Sequence, residues 1–272
     1  MRWDRNYSSS DVEDRRGEVY SGGGGGLGGG GLFLLVRLLS IFGWKGILVG
    51  LVIAGVVMAG GQCSNLTSHR PVTSSGPVQS SAQEDELVHF VGFVFDDIQK
   101  SWARQMPGYE KARLVLFRNR YPSACGTASP AIGPFYCQLD HKVYIDLAFY
   151  DELRRRFGAP GDFAQAYVIA HEVGHHVQNL RHLLGKGSAD SVHVELQADC
   201  LAGAWAKDAD KRGLVEMGDV GEALNAASQI GDDTLQRKAQ GYVQPEKFTH
   251  GTSAQRRGSF ERGYDGGAAA CL

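Results

Sequence analysis

The pattern of hydrophobic and polar positions divides the chain into an N-terminal part without a folded-domain pattern and a C-terminal part that has one. From Leu87 to Trp102, apolar residues recur at helical spacing, which predicts an amphipathic helix that ends before Pro107. Two later stretches predict a strand and a hairpin, Ala112–Phe117 and Phe135–Asp146. Further helical patterns cover Leu147–Phe157, Phe163 to about Leu184, Ser191 to about Lys211, about Asp219 to Ile230, and a short segment after Thr252. A small sheet followed mainly by helices is typical of an α+β domain.

The part before this domain divides into three stretches by composition. Residues 1–41 are predicted to be a polar and glycine-rich N-terminal segment, in which residues 1–21 have no apolar period and residues 22–31 form a flexible spacer. The apolar residues 42–61 predict one transmembrane helix, and a cleaved signal peptide fits less well because the apolar stretch begins only at Leu32. Residues 62–83 are rich in Ser, Gly, Pro and Thr and predict a flexible linker to a domain over residues 84–272.

Basic residues set the expected orientation of this transmembrane helix. Arg37 and Lys45 flank its N-terminal side, whereas Arg70 is the nearby basic residue after it. The positive-inside rule then predicts a cytoplasmic N-terminus and a C-terminal domain on the extracytoplasmic side. Because that side is oxidising, a disulfide between Cys125 and Cys137 becomes possible there. The other three cysteines are expected to be small buried or tail residues.

Charge composition lowers the expectation for one class of partner. The chain has 28 basic and 30 acidic residues, a formal net charge of −2. Binding to nucleic acid through an overall positive charge is therefore not expected.

One helical pattern carries residues with metal chemistry. The segment Ala166–Leu180 reads AYVIAHEVGHHVQNL, and its His171 and His175 lie one helical turn apart on the same face. Two imidazoles in this arrangement can bind one zinc ion, while Glu172 can reach a water molecule on that ion without being a ligand. This HExxH spacing is that of zinc metalloproteases.

The third ligand is not given by this helix. The spacing HExxHxxGxxH would require glycine at position 178 and histidine at position 181, where the chain has Gln178 and Arg181. His176 leaves the helix about 100° away from His175, and His182 also points away from the shared face. A ligand from another element is therefore expected.

The next predicted helix offers that ligand. Glu195 and Asp199 are four residues apart and so share a helical face. Glu195 can complete a His2Glu zinc site with His171 and His175, leaving a fourth position open. Asp199 can accept a hydrogen bond from a ligand imidazole and fix its orientation.

These motifs resemble those of a known group of proteins. HEVGHH followed by ELQAD resembles the gluzincin pattern, and the whole chain resembles the bacterial putative neutral zinc metallopeptidase family. The resemblance implies a zincin-like fold with His171, His175 and Glu195 as zinc ligands, Glu172 as the base, and a single-pass protein of the inner membrane. The segments that carry it are VEDRRG, the glycine run, CGTASPAIGPFYC, KVYIDLAFYDEL, AYVIAHEVGHHVQNL, VELQADCLAGAWA and FTHGTSAQRRGSF.

His250 is a further candidate for a catalytic residue. It stands just before a predicted helix cap at Thr252 or Ser253, from where it can approach the site and stabilise an oxyanion. The alternative is a histidine that only orders the start of this helix.

The predicted function is that of a membrane-anchored, zinc-dependent peptidase that cleaves a peptide or protein substrate through a metal-activated water molecule. The main alternative is a zinc-stabilised, non-catalytic binding or scaffold domain at the membrane. Hydrolysis of a bond other than a peptide bond is a third possibility, which no residue of the sequence rules out. The sequence predicts neither the substrate nor the oligomeric state.

Overall fold

The computed structural model describes residues 1–18, 80–184 and 191–272, over which a small sheet is followed by helices. The predicted α+β class is therefore confirmed. The glycine run, the predicted transmembrane helix at residues 42–61 and most of the predicted linker lie outside the described residues. Among the residues that are described, no helix is both long enough and apolar enough to cross a membrane.

The main sheet has four strands, in the order β1 (Val12–Asp14), β2 (Arg113–Phe117), β6 (Lys142–Asp146) and β5 (Phe135–Cys137). The first three strands are parallel to one another, and β5 runs antiparallel to β6. The predicted hairpin over residues 135–146 is thus confirmed. Two further short strands, β3 (Tyr121–Ser123) and β4 (Gly126–Ala128), pair with each other in a separate sheet.

Most of the helices fall where the hydrophobic period predicts them. The helices are α1 (Ala82–Gln105), α2 (Ala148–Arg155), α3 (Asp162–Leu180), α4 (Ser191–Lys211), α5 (Asp219–Gln229), α6 (Asp232–Gln240) and α7 (Ser253–Gly266). The pattern did not reveal α6, a helix of nine residues with a low apolar content and only one buried residue, Asp232. The core lies between these helices and one face of the sheet, and its largest buried side chains include Trp102, Tyr167 and Trp205.

The first residues of the chain belong to this folded unit, which corrects their prediction as part of a separate polar segment. Strand β1 pairs with β2, and Arg16 contacts Asp14, Glu84 and Asp85. Helix α1 begins at Ala82 with Ser81 as its N-cap, so the end of the predicted linker is also part of the domain. A three-residue strand is too short to show a hydrophobic period, which is why the sequence pattern missed β1.

Two disulfides cross-link the described part of the chain. Cys125 and Cys137 are bonded across 12 residues, as the sequence allowed. Cys200 and Cys271, which the sequence predicts as small buried or tail residues, are buried and are also bonded to each other across 71 residues. The second bond ties the end of the chain to α4, a long-range pairing that spacing alone does not reveal.

Helices α4 and α7 approach each other at glycine positions. A side chain at Gly203 would place its first carbon 2.0 Å from the carbonyl oxygen of Phe260, which is closer than any such contact allows. Asp199 and Arg256 lie four residues before these two contact residues on their own helices, and hence about one turn away. The close packing of the two backbones therefore brings Arg256 to Asp199.

Candidate metal centre

The structure brings together the three residues that the sequence predicts as ligands. Helix α3 places the rings of His171 and His175 4.8 Å apart, centre to centre. Glu195 reaches them from α4, with one carboxylate oxygen 3.1 Å from Nε2 of His171 and the other 3.5 Å from Nε2 of His175. One ligand atom from each residue lies within 4.8 Å of the other two.

The distances and the donor atoms fit a zinc ion. Two ligand atoms about 2.0–2.1 Å from a tetrahedral ion lie about 3.3 Å apart, close to the separations between Glu195 and the two imidazoles. The Nδ1–H of His171 donates to Asp199, and that of His175 donates to Gln178, each at a distance of 2.8 Å. Each ring therefore keeps the lone pair of its Nε2 for a metal.

Electrostatic interactions within this centre are strong. Burial alone would lower the pKa of His171, but the carboxylates of Asp199 and Glu195 outweigh it and raise the pKa to about 10. Burial would raise the pKa of Glu195, but hydrogen bonds from the two histidines lower it below its usual range. Without a metal, Glu195 thus holds protons on the imidazoles, and a bound cation would replace them.

Glu172 lies beside the ligands without joining them. Its side chain is 7% exposed, and within the described residues its carboxylate makes no hydrogen bond to another side chain. Burial raises its pKa, while the two histidines act in the opposite direction. A carboxylate with a raised pKa is suited to accept and return a proton near neutral pH.

A buried network orients the first ligand. Asp199 accepts hydrogen bonds from Nδ1 of His171 at 2.8 Å, from the hydroxyl of Tyr167 at 2.5 Å, and from both Nε and Nη2 of Arg256 at 2.8 and 2.9 Å. Burial would raise the pKa of Asp199, but Arg256 and His171 lower it to about 2. Asp199 therefore stays ionised and keeps the proton of His171 on Nδ1.

The sequence predicted the role of Asp199 but missed Arg256. The Arg256 side chain is only 3% exposed and reaches Asp199 from α7. Arg256 lies in the segment FTHGTSAQRRGSF, in which the sequence predicted only His250 as a candidate site residue. The pairing of this buried arginine with Asp199 can be recognised only once the packing of α4 and α7 is known.

The structure does not bring His250 to the metal centre. Its ring is 48% exposed and hydrogen-bonds to Thr249 and Asp232, and its backbone N–H also donates to Asp232. Thr252 caps α7 with Gln255 as its partner in a capping box. This arrangement fits the alternative prediction, a histidine that orders the start of a helix, because Asp232 holds it in the turn before α7.

The two other histidines near the motif are not among the clustered ligand atoms. His176 is fully buried, donates from Nε2 to the carbonyl of Glu110 at 2.7 Å, and accepts from the hydroxyl of Tyr136 at 2.9 Å. His182 follows the end of α3 with a φ of 56°. Both positions agree with the expectation that neither residue ligates the ion.

Comparisons with known proteins agree with the features of this site. The family described as putative neutral zinc metallopeptidase matches residues 1–272. An uncharacterized protein of Escherichia coli K12, YpfJ, is 42% identical over 284 aligned positions, which cover 98% of this chain and 96% of that protein. An uncharacterized protein of Mycobacterium tuberculosis H37Rv, Rv2575, is 40% identical over 190 positions, or 63% of this chain and 65% of that protein.

No solved structure matches this chain. The family match spans every residue of the chain, including the HExxH helix and the glutamate that faces it. The chain therefore belongs to the putative neutral zinc metallopeptidase family.

Proposed function

We propose that this protein is a zinc-dependent peptidase that hydrolyses peptide bonds with Glu172 as its proton-transfer group. The observation that carries the proposal is the buried carboxylate of Glu172, which makes no hydrogen bond to another described side chain and lies next to the three clustered ligand atoms. Three protein ligands leave one position of a tetrahedral ion open, as in catalytic rather than structural zinc sites. A purely structural site would have no need of Glu172, which disfavours the scaffold alternative.

Each residue of the site has its own role in the proposed reaction. A zinc ion held by His171, His175 and Glu195 would supply Lewis acidity and lower the pKa of a water molecule. Glu172 accepts a proton from the attacking water and returns it to the leaving nitrogen. Asp199 keeps the imidazole of His171 in the orientation and tautomer that leave Nε2 free.

Replacing Glu172 tests this function. We expect Glu172→Gln to retain zinc but to lower kcat for peptide hydrolysis by about 100-fold or more, because the amide cannot accept the proton. Zinc content measured by elemental analysis and cleavage of a broad peptide mixture would report the two properties separately. Glu152→Gln, on the exposed face of α2, is the matched control and should leave both unchanged. Full hydrolytic activity in Glu172→Gln would contradict the mechanism.

We also propose that the zinc domain lies in an oxidising, extracytoplasmic compartment. The disulfides Cys125–Cys137 and Cys200–Cys271 support this, since such bonds rarely persist in a reducing cytoplasm. The pairing of β1 with β2 requires residues 1–18 to lie on the same side of a membrane as the domain. The predicted combination of a cytoplasmic N-terminus and an extracytoplasmic domain is incompatible with that pairing.

The location can be measured with single-cysteine labelling in intact cells. We expect a cysteine placed at Ser8, in the N-terminal segment, and one placed at Met217, in the domain, to react equally with a membrane-impermeant maleimide, because both positions are exposed. Labelling at position 217 but not at position 8 would contradict the shared compartment. Absence of labelling at both positions would contradict the extracytoplasmic location.

A further inference from the structure

A second feature of the fold is a cleft at the start of the helix that carries His171 and His175. It has a volume of about 750 Å³ and opens between α2, the first turn of α3 and the N-terminal half of α1. We call it the α2–α3 cleft. Its lining combines many charged side chains with the polar residues Tyr150 and Gln165 and with a set of apolar ones, Trp3, Leu87, Phe90 and Leu147.

Both polar side chains carry a buried atom without a partner. Tyr150 is only 4% exposed, and neither its hydroxyl nor Oε1 of Gln165 has a hydrogen-bond partner among the described residues. A buried polar atom left unpaired costs about 1–3 kcal/mol, so such atoms are normally satisfied in the working protein. The Tyr150 hydroxyl can donate a hydrogen bond, and the Gln165 oxygen can accept one.

The cleft begins at the first turn of the helix that carries the proposed catalytic glutamate. Gln165 and Glu172 are seven residues apart on α3, so they share a face and lie about 10.5 Å apart along the helix axis. An extended peptide advances about 3.3 Å per residue, and three residues therefore cover this distance. Tyr150 lines the same cleft from α2.

The charges around the cleft do not favour a charged ligand. Arg118 pairs with Glu84, Arg154 pairs with Asp151, and Arg5 pairs with Glu86. These pairs neutralise one another at the rim. Asp162 pairs with the Met1 amino group, and Asp146 accepts from the backbone N–H groups of Asn119 and Ala148. Arg155 is exposed to solvent. Tyr150 and Gln165 add one donor and one acceptor beside the apolar side chains, which matches the alternating carbonyl and N–H groups of an extended peptide with an apolar side chain.

We propose that the α2–α3 cleft binds about three residues of the substrate on one side of the scissile bond. The Tyr150 hydroxyl donates to a main-chain carbonyl, Gln165 accepts from a main-chain N–H, and an apolar side chain packs against Trp3 and Leu87. The inference rests on the proposed peptidase function. It assigns the substrate class as peptides that continue for at least three residues past the cleaved bond.

The test combines two conservative variants with two lengths of peptide. For a peptide that extends at least four residues on both sides of the cleaved bond, we expect Tyr150→Phe and Gln165→Met each to lower kcat/KM about three- to tenfold. For the same peptide shortened to one residue on the cleft side, kcat/KM should be low in the wild type and unchanged by either variant. Tyr242→Phe, at an exposed tyrosine outside the cleft, is the matched control.

Several results would overturn the inference. Equal losses with long and short peptides would mean that the two side chains act on the centre and not on the extended substrate. A large fall in melting temperature for Tyr150→Phe would mean that its hydroxyl has a structural partner. Zinc content should equal that of the wild type in both variants, and a loss of zinc would also contradict a binding role.

A failure of the proposed function can be told apart from a failure of this inference. If the zinc-loaded wild type cleaves no peptide, the peptidase function fails, and binding is then measured by fluorescence anisotropy with labelled long peptides. Weaker binding to Tyr150→Phe and Gln165→Met than to the wild type would support the cleft as a peptide site. Equal binding, or no binding to the wild type, would overturn it.

Discussion

Two clusters in the described residues each bring three potential ligand atoms within 4.8 Å of one another. One consists of His171, His175 and Glu195, and the other of Asp162, Asp219 and Glu222. In the second, the amino group of Met1 lies 2.8 Å from Asp162 and 3.3 Å from Asp219. Glu222 accepts a hydrogen bond from the backbone N–H of Phe163 at 3.1 Å.

The difference lies in which lone pairs are already engaged by the protein. In the acidic cluster, the Met1 ammonium group and a backbone N–H already hydrogen-bond to the carboxylates, so each carboxylate has a partner from the protein. In the histidine cluster, Asp199 and Gln178 fix the Nδ1 atoms of the two imidazoles. The two Nε2 atoms both face Glu195. Three potential ligand atoms close together are therefore not enough to define a metal site. The two clusters differ in the hydrogen-bond partners that these residues already have in the protein.

Removing one carboxylate from each cluster should give the largest contrast. We expect Glu195→Ala to weaken zinc binding by more than about 100-fold, because even the loss of an outer partner costs about 10- to 100-fold. Glu222→Ala should leave zinc affinity unchanged. Competition with a chromophoric chelator would measure both affinities. Equal affinities in the two variants would mean that Glu195 is not a ligand.

Removing the arginine behind the histidine cluster should have the next largest effect. Arg256→Met leaves the charge of Asp199 buried and only partly compensated, and we expect it to lower the free energy of unfolding by about 3 kcal/mol. Zinc affinity should also fall, by about 10-fold or more. Urea unfolding and chelator competition would measure the two effects.

Arg257→Met is the matched control for this change, since Arg257 lies on the exposed side of the same helix and pairs with Glu261. It should change stability by less than about 0.5 kcal/mol. A similar loss of stability in both variants would show that any change to an arginine of α7 destabilises the fold. The loss in Arg256→Met could then not be assigned to Asp199.

The acidic cluster should respond to alkaline pH, with a smaller effect. Burial would lower the pKa of the Met1 amino group, but Asp162 and Asp219 outweigh it and raise the pKa above its ordinary value of 8.0. The ion pairs therefore stabilise the fold fully below about pH 8, and this contribution is lost as the pH rises through the raised pKa. We expect a loss below about 1 kcal/mol, because the pairs are partly exposed.

Melting temperatures of the wild type and Asp162→Asn between pH 7 and pH 10 would measure this loss. The variant, which lacks the nearest carboxylate, should show a weaker dependence on pH. An identical dependence in the two proteins would mean that the Met1 amino group contributes nothing to stability in this range.

Local patterns in the sequence predicted the elements that have a clear period. Helices α1, α3 and α4 carry long apolar stripes, and the hairpin of β5 and β6 carries an alternating pattern. The pattern failed for β1, which has three residues, and for α6, which buries little apolar surface. A hydrophobic period appears only where one face of an element is buried, so an element that buries little apolar surface shows no period.

The sequence by itself determined the spacing of His171 and His175 and the nature of the residues that face them, because a helix places positions i and i+4 on one side. Only the tertiary structure decided that Arg256 stands behind Asp199, that Cys200 pairs with Cys271, and that His250 stays with Asp232 away from the ligands. These contacts join residues 57, 71 and 18 positions apart. Over such distances, spacing along the chain carries no geometric information, and the packing of whole helices sets which side chains meet.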